Sequence, residues 1–217
     1  MPFPDNKPHA LVIGNGESLS KNRLIHLSQK AAYVICTDGG ALTAKISGII
    51  PNAIIGDLDS INEESLEYFK NQNSEIIRDP SQSENDLEKC IITITRRGYS
   101  NIVLAGFMGK RDDQSMATLL LMKKYTPKAE ILTLTNYSEI HLLNKGQYHF
   151  NVQSYQTISL FGFPRAFGIT TDGLKFSLND QPLYEGSKGL SNLSVSDSFR
   201  ISLKSGTIIV IINLDVT

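Results

Sequence analysis

The sequence predicts an α/β fold in which a doubly wound parallel sheet is followed by an antiparallel β-sandwich. Up to about residue 135, short apolar runs alternate with longer segments of helical periodicity, as in strand and helix units around a parallel sheet. Farther on, β-branched and aromatic residues increase and glycine and proline recur often, which indicates short antiparallel strands. We therefore predict an α/β domain over residues 1–137 and a β domain over residues 138–217.

The predicted strands of the first domain are short apolar runs. They are His9–Gly14, Tyr33–Thr37, Ala53–Ile55, Glu75–Ile77, Asn101–Ala105 and Glu130–Leu134. The predicted helices between them have apolar residues three or four positions apart, with carboxylates or small residues near their starts. They are Leu19–Gln29, Gly40–Ser47, Glu63–Asn71, Asn85–Arg96 and Asp113–Lys124. Ligands of such sheets usually bind at the carboxyl ends of the strands.

The second domain begins with a predicted strand, turn and strand, in which Asn144-Lys145-Gly146 forms the turn. No segment after it has convincing helical periodicity. Because so small a β domain is only marginally stable by itself, we expect it to be stabilised by contact with the first domain or with a second subunit.

Composition argues against several classes of protein. The 21 basic and 22 acidic side chains give a net charge of −1 and no extended cationic surface, so nucleic acid is not expected as a partner. Cys36 and Cys90 lie in apolar stretches, which favours buried thiols in a reducing compartment, and we predict a cytoplasmic location. The first residues lack a signal peptide pattern, and no apolar run approaches the roughly 18 residues of a membrane span.

Two aspartates, Asp57 and Asp59, directly follow an apolar run in IIGDLDS at residues 54–60. They point to one side of a continuing strand or converge in a tight loop, so the two carboxylates share one small space in either case. Such charges repel unless a cation lies between them, and oxygen ligands favour Mg²⁺. The alternative is structural, with Asp57 capping the next turn and Asp59 capping the helix that begins near Glu63.

A second acidic group opens the predicted helix in SENDLEKC, residues 83–90. Asp86 and Lys89 are three residues apart and share one helix face. A helix N-terminus attracts phosphate, and Lys89 adds positive charge on the same face. The alternative is an ordinary first turn in which acidic residues favour the helix dipole.

A third group lies in GFMGKRDDQ, residues 106–114. Its two glycines permit a sharp turn and a close backbone approach, and Arg111 can hold a phosphate by two parallel hydrogen bonds. The spacing of a P-loop is absent, and GNGES at residues 14–18 is too short for a dinucleotide fingerprint. The segment predicts an anion site, with a simple glycine turn as the alternative.

A fourth group, TDGG at residues 37–40, ends a predicted strand. Asp38 either binds a ribose hydroxyl or caps the following helix, and Gly39 and Gly40 expose backbone N–H groups. The histidines show no metal-ligand spacing, and no serine lies in a nucleophile elbow. The strand ends therefore offer carboxylates, glycines and cations, which suit a metal polyphosphate.

Taken in order, TDGGA, PNAIIGDLDS, PSQSENDLEKC, GKRDDQ and GLSN resemble the signature blocks of the thiamine pyrophosphokinase family. The resemblance runs from about residue 10 to the C-terminus. It implies a Rossmann-like nucleotide-binding domain, a C-terminal β-sandwich that binds thiamine and dimerises, and a homodimer with active sites between its subunits. The implied reaction transfers the diphosphate of ATP to the hydroxyl of thiamine, with Mg²⁺ as cofactor.

The resemblance also assigns roles near the phosphates. It implies that Asp57, Asp59 and Asp86 are Mg²⁺ ligands. Arg111 and Lys89 would contact the phosphates.

Further roles follow from the same blocks. Asp113 and Gln114 would belong to the catalytic loop, where Asp113 is a candidate acceptor of the hydroxyl proton. Gln82 would line the pocket, and Ser191 and Asn192 would contact thiamine.

Some positions depart from the family pattern. Ser81 and Asn85 stand where the family often has aspartate and threonine, and Lys110 replaces a common glycine. The sequence has no tryptophan, so aromatic stacking on thiamine would come from Phe or Tyr. Two other functions stay open: a diphosphokinase that acts on another alcohol such as a hydroxymethylpterin, and a protein that binds thiamine diphosphate without making it.

Overall fold

A computed structural model describes residues 7–214 of the chain. These residues form two compact units that divide between Thr135 and Asn136. Among the helices within residues 7–214, none has the length and apolar character that a membrane span requires.

The first unit is built on six parallel strands. Their order in the sheet is β4-β3-β2-β1-β5-β6, so the direction of winding changes between β1 and β5. The strands are β1 (Ala10–Ile13), β2 (Tyr33–Thr37), β3 (Ala53–Gly56), β4 (Glu75–Arg78), β5 (Asn101–Ala105) and β6 (Glu130–Leu134). In such a sheet the crevice where the order reverses is the usual ligand site.

Five helices connect these strands. They are α1 (Lys21–Lys30), α2 (Asp38–Ser47), α3 (Glu63–Asn71), α4 (Asp86–Arg96) and α5 (Asp112–Tyr125). Every predicted strand and helix of this unit is present, and the boundaries shift by at most two residues. The prediction of a parallel α/β sheet is therefore confirmed.

Alternating side chains of the sheet divide the core into two faces. On one face, Leu11 and Cys36 pack with Leu24 of α1, Ala44 of α2 and Phe69 of α3, all of them buried. Side chains of the opposite parity point the other way, where α4 contacts β1, β2 and β3 and buries its own apolar residues. Because helices pack on both faces, polar side chains at the carboxyl ends of the strands lie in the segments that follow the strands.

The second unit contains antiparallel strands and no helix within residues 136–214. Its strands are β7 (Ser138–Leu143), β8 (Gly146–Asn151), β9 (Thr157–Asp172), β10 (Gln181–Leu183), β11 (Gly189–Leu193), β12 (Ser198–Leu203) and β13 (Ser205–Asn213). The predicted antiparallel class is confirmed, while the layering into a sandwich stays a prediction.

One long strand, β9, organises the second unit. It pairs with β13, β10 and β11 and, near its end, with β12. The predicted turn between Leu143 and Gly146 is present, but the strands on either side of it belong to different ladders: β7 pairs with β13 and β8 pairs with β12. The β7–β13 pair and the β8–β12 pair are therefore joined by β9, which bonds to both β13 and β12.

Candidate active site

A cavity of about 570 Å³ lies in the first unit, within the range typical of small-molecule sites. Its lining comes from the loops after β1, β3, β4 and β5, from the end of β2 and from the N-terminal parts of α2, α4 and α5. The position agrees with the predicted site at the carboxyl ends of the strands.

The loops after β1 and β5 are hydrogen-bonded to each other along the cavity. The backbone N–H of Gly16 donates to the carbonyl of Gly106 at 2.6 Å, and that of Glu17 donates to the carbonyl of Met108 at 2.8 Å. Asn15 and Gly16 line the cavity. The GNGES segment therefore forms part of the site wall, a role that the absence of a nucleotide fingerprint did not reveal.

Asp38 is the most buried acidic residue of the cavity, with 2% of its surface exposed. Its carboxylate accepts hydrogen bonds from the backbone N–H groups of Gly39 at 2.6 Å and Leu58 at 3.1 Å. Burial raises the pKa of Asp38, and the negative charges of Asp86 and Asp57 raise it further, against the opposing effect of the backbone hydrogen bonds. The fold thus holds the Asp38 carboxylate in an environment that disfavours its ionised form.

Asp38, Asp57 and Asp59 form a carboxylate cluster. Each offers an oxygen atom, and these atoms lie within 4.8 Å of one another. The pKa of Asp57 is lowered, mainly by the backbone N–H of Asp59, and Gln82 is among the side chains that hydrogen-bond to it. Three oxygen donors this close, one of them desolvated, fit a hard cation such as Mg²⁺.

Helix capping explains neither Asp38 nor Asp59, so those two structural alternatives are wrong, whereas the carboxylate of Asp57 does close the turn that follows it. The N-cap of α2 is Thr37, whose hydroxyl accepts from the Gly40 N–H at 3.0 Å. The N-cap of α3 is Asn62, whose amide oxygen accepts from the Ser65 N–H at 2.8 Å.

The backbone donors of Gly39 and Gly40 are already used. The Gly39 N–H donates to Asp38 and the Gly40 N–H donates to Thr37. The expectation that both groups are available to a ligand is therefore wrong, although Gly39 still lines the cavity. Asp57 itself accepts from the Asp59 N–H at 3.3 Å, which closes the turn between the two aspartates.

Asp86 and Lys89 lie side by side at the start of α4, and both line the cavity. Asn85 caps this helix by accepting from the Glu88 N–H at 2.9 Å. The Lys89 ammonium, 5% exposed, donates to the Asp79 carbonyl at 2.9 Å and lies 3.4 Å from the Asp86 carboxylate. Asp86 is not in the carboxylate cluster, but its charge is one of those that raise the pKa of Asp38.

Arg111 and Asp113 form a two-bond ion pair at the start of α5. The Arg111 guanidinium donates to both carboxylate oxygens of Asp113, and the Nε bond is 3.0 Å long. These hydrogen bonds lower the pKa of Asp113 and raise that of Arg111. Arg111 and Gln114 line the cavity, whereas Asp113 does not line it and orients the guanidinium.

Lys110 has a φ of +58°, the left-handed conformation that glycine adopts most readily. Its exposed side chain lines the cavity, and its ammonium donates to the Asn15 carbonyl at 3.1 Å. The positive φ therefore explains why glycine suits this position. The lysine that replaces it directs its ammonium to the Asn15 carbonyl.

The remaining predicted residues lie in two places. Gln82 lines the cavity of the first unit. Ser191 and Asn192 belong to β11 of the second unit, where Asn192 is buried. The Asn192 amide bonds to both the N–H and the carbonyl of Phe176, at 3.0 and 2.8 Å, so its polar atoms are used to hold that loop.

Comparison with known proteins identifies the family. The model for the thiamin pyrophosphokinase catalytic domain matches residues 24–133, half of the chain, and this span contains nearly all of the residues that line the cavity. The chain belongs to the thiamin pyrophosphokinase family. Thiamine pyrophosphokinase 1 of Oryza sativa subsp. japonica is 28% identical, covering 84% of this chain and 79% of its own. Thiamin pyrophosphokinase 1 of Caenorhabditis elegans is 26% identical, covering 89% and 84%.

Solved structures of this family share the fold. The thiamine pyrophosphokinase from Bacillus subtilis superposes with a TM-score of 0.86 over 97% of this chain and 100% of its own, at 22% identity. A probable thiamine pyrophosphokinase from Staphylococcus saprophyticus subsp. saprophyticus gives a TM-score of 0.72 at 27% identity, covering 96% and 99%. The likeness therefore spans both units.

Proposed function

We propose that this chain is a thiamine pyrophosphokinase, which transfers the diphosphate group of ATP to the hydroxyl of thiamine and releases AMP. In this reaction the thiamine oxygen bonds to the β-phosphorus of ATP, and the bond from that phosphorus to the oxygen of the α-phosphate breaks. The observation that carries the proposal is the carboxylate cluster of Asp38, Asp57 and Asp59, of which Asp38 and Asp57 line the same cavity as three cationic side chains in the family's catalytic domain.

The residues of the cluster fit Mg²⁺. Asp57 and Asp59 would hold it as predicted, and Asp38 is the third carboxylate, in the place first given to Asp86. When bound, the cation would offset the negative charge of the phosphates. Asp86, beside the buried Lys89 ammonium, would add acidic charge at the edge of the cluster.

Arg111 is the residue proposed to stabilise the charge that develops on the transferred group. Its guanidinium lines the cavity and is fixed in orientation by Asp113. A fixed arginine suits phosphoryl transfer, because positioned charge contributes more to this reaction than a strong base does. Asp113 is then a positioning residue, since a carboxylate with a lowered pKa is a weak acceptor for the thiamine proton.

The other predictions remain proposals. We propose residues 1–137 as the nucleotide-binding catalytic domain and residues 138–217 as the domain that binds thiamine, through Ser191, and forms the homodimer. Cys36 and Cys90 are both buried free thiols, which supports the predicted cytoplasmic location.

A direct assay separates this function from the two alternatives. The protein is incubated with ATP, magnesium and thiamine, and AMP and thiamine diphosphate are quantified by chromatography. Equal amounts of both products, lost on addition of EDTA, are expected. AMP formation with a hydroxymethylpterin in place of thiamine would support the other diphosphokinase, and binding of thiamine diphosphate without turnover would support the binding protein.

The metal assignment has its own test. Asp57→Asn removes a carboxylate of the cluster, so we expect kcat to fall by about 10²-fold or more. The matched control is Asp112→Asn, because Asp112 is an exposed aspartate in the first turn of α5 that does not line the cavity. A kcat for Asp57→Asn within a few-fold of wild type would contradict the assignment.

A further inference from the structure

Three cationic side chains line the cavity, and they differ in how their charge is balanced. They are Lys89, Lys110 and Arg111. Lys89 lies 3.4 Å from the Asp86 carboxylate, and Arg111 is paired with both oxygens of Asp113. Within residues 7–214, no carboxylate lies within ion-pair distance of Lys110, so its charge is the least compensated of the three.

The backbone of Lys110 is held in an uncommon conformation. Its φ of +58° follows Gly109 at +72°, and this turn carries the chain from β5 into α5. A side chain in the left-handed region crowds its own carbonyl, so most residues avoid it. The sequence nevertheless places a long cationic side chain at this point of the cavity wall.

The Lys110 ammonium makes one hydrogen bond and has spare hydrogen-bonding capacity. It donates one bond, to the Asn15 carbonyl at 3.1 Å, and an ammonium has three donors. Asn15 and Gly16 also line the cavity, on the loop after β1 that is hydrogen-bonded to the loop after β5. The ammonium therefore lies where these two loops meet, with donors left for a ligand in the cavity.

We infer that Lys110 binds a phosphate group of the nucleotide and so determines affinity for ATP in this chain. The inference rests on the proposed function, which supplies ATP as the ligand. Phosphate oxygens need cationic donors, and Lys110 supplies one whose charge no carboxylate in the described part of the chain balances, in addition to the guanidinium donors that Arg111 does not give to Asp113. Lys110 binds substrate but takes no part in proton transfer, so its loss should raise the KM for ATP more than it lowers kcat.

The test compares two kinds of substitution at this position. Lys110→Gln keeps a hydrogen-bond donor but removes the positive charge, and Lys110→Arg keeps the charge. Lys128→Gln is the matched control, because Lys128 is an exposed lysine of the same unit outside the cavity. ATP binding in the presence of magnesium, without thiamine, is measured by titration calorimetry at low and high salt, and kcat and KM are measured with thiamine.

We expect Lys110→Gln to weaken ATP binding by about tenfold or more, with a smaller effect of salt than in wild type. Lys110→Arg should bind ATP within about threefold of wild type, and Lys128→Gln should not differ. Wild-type affinity in Lys110→Gln would overturn the inference, because the side chain would then only tether two loops. If wild type binds ATP but forms no AMP with thiamine, the proposed function fails while the binding comparison still decides the role of Lys110; if wild type does not bind ATP, both fail.

Discussion

The Asp38 carboxylate lies directly against the backbone of Gly56, the last residue of β3. A Cβ atom at position 56 would stand 2.7 Å from the Asp38 Cγ and 2.9 Å from its Oδ2, closer than carbon and oxygen atoms approach without displacement. Glycine at this position therefore lets the buried carboxylate of Asp38, the first residue of α2, meet the two aspartates that follow β3. The contact links the packing of the sheet to the geometry of the carboxylate cluster.

Gly56→Ala should displace the Asp38 carboxylate and weaken the cluster. Because a shift of about 1 Å in a catalytic group can cost 10²-fold in rate, we expect kcat/KM to fall by about that factor and the magnesium requirement to rise. Steady-state kinetics over a range of magnesium concentrations measures both, and urea unfolding shows how much stability is lost. Gly146→Ala is the control, since its added Cβ meets only the Tyr148 side chain, at 3.0 Å. Unchanged magnesium dependence in Gly56→Ala would contradict the role given to Asp38.

Asp113→Asn tests whether Asp113 positions Arg111 or accepts a proton. Its pKa lies below the ordinary value of 3.8, so Asp113 is ionised throughout pH 5–8 and contributes no titration there. We expect the variant to lower kcat without moving the acid limb of the pH–rate profile, and Arg111→Ala to lower kcat by about 10²- to 10³-fold. The double variant should resemble Arg111→Ala alone. Additive losses would show that Asp113 acts independently of the guanidinium.

Asn192→Ala should act on stability. The substitution leaves the N–H and the carbonyl of Phe176 without their present partner, which we expect to cost about 2 kcal/mol in the free energy of unfolding. Urea denaturation measures the loss. Ser191→Ala changes an exposed hydroxyl and should leave stability within about 0.5 kcal/mol while raising the KM for thiamine. A change in thiamine KM for Asn192→Ala without any loss of stability would support direct contact instead.

Glu88 should stabilise the first unit in a pH-dependent way. Burial alone would raise its pKa, but hydrogen bonds from Lys124 and from the Tyr125 hydroxyl, at 2.7 Å, lower it below the ordinary 4.5. A carboxylate with a depressed pKa contributes stability above its unfolded pKa and loses it as pH falls through the folded value. We expect Glu88→Gln to lower the free energy of unfolding by about 1–3 kcal/mol at pH 7. The difference from wild type should shrink in urea unfolding below about pH 4.5, and a constant difference would argue against ionisation as the cause.

Sequence patterns predicted the first unit well because its strands and its helices have different hydrophobic patterns. Buried parallel strands appear as continuous apolar runs, and the helices as periodic segments with side-chain caps such as Asn62 and Asn85. The role of Asp38 was missed because Thr37 and Asp38 are adjacent residues that both favour helix N-caps. The backbone conformation decides that the Thr37 hydroxyl caps the helix while the Asp38 carboxylate lines the cavity.

The second unit was predicted less completely, since strand partners are not encoded locally. The recurrence of glycine and proline predicted short strands, whereas Gly162, Pro164 and Gly168 all lie inside the continuous strand β9. A Cβ atom on Gly162 would stand 2.2 Å from the Leu183 carbonyl, so glycine permits the close approach of β10 at that point. A residue that marks a turn in one context thus allows tight strand packing in another.

The length of β9 also determines how the second unit opens. Four other strands bond to this one segment, at Ile158 for both β11 and β13 and at Thr171 for β12. If one of these strands separates from β9, the β9 amides that it covered become exposed. The pairing of the remaining strands with β9 is then weakened as well. Hydrogen exchange in β9, β12 and β13 should therefore proceed through a single cooperative opening with similar protection factors, without independent fraying of the separate hairpins.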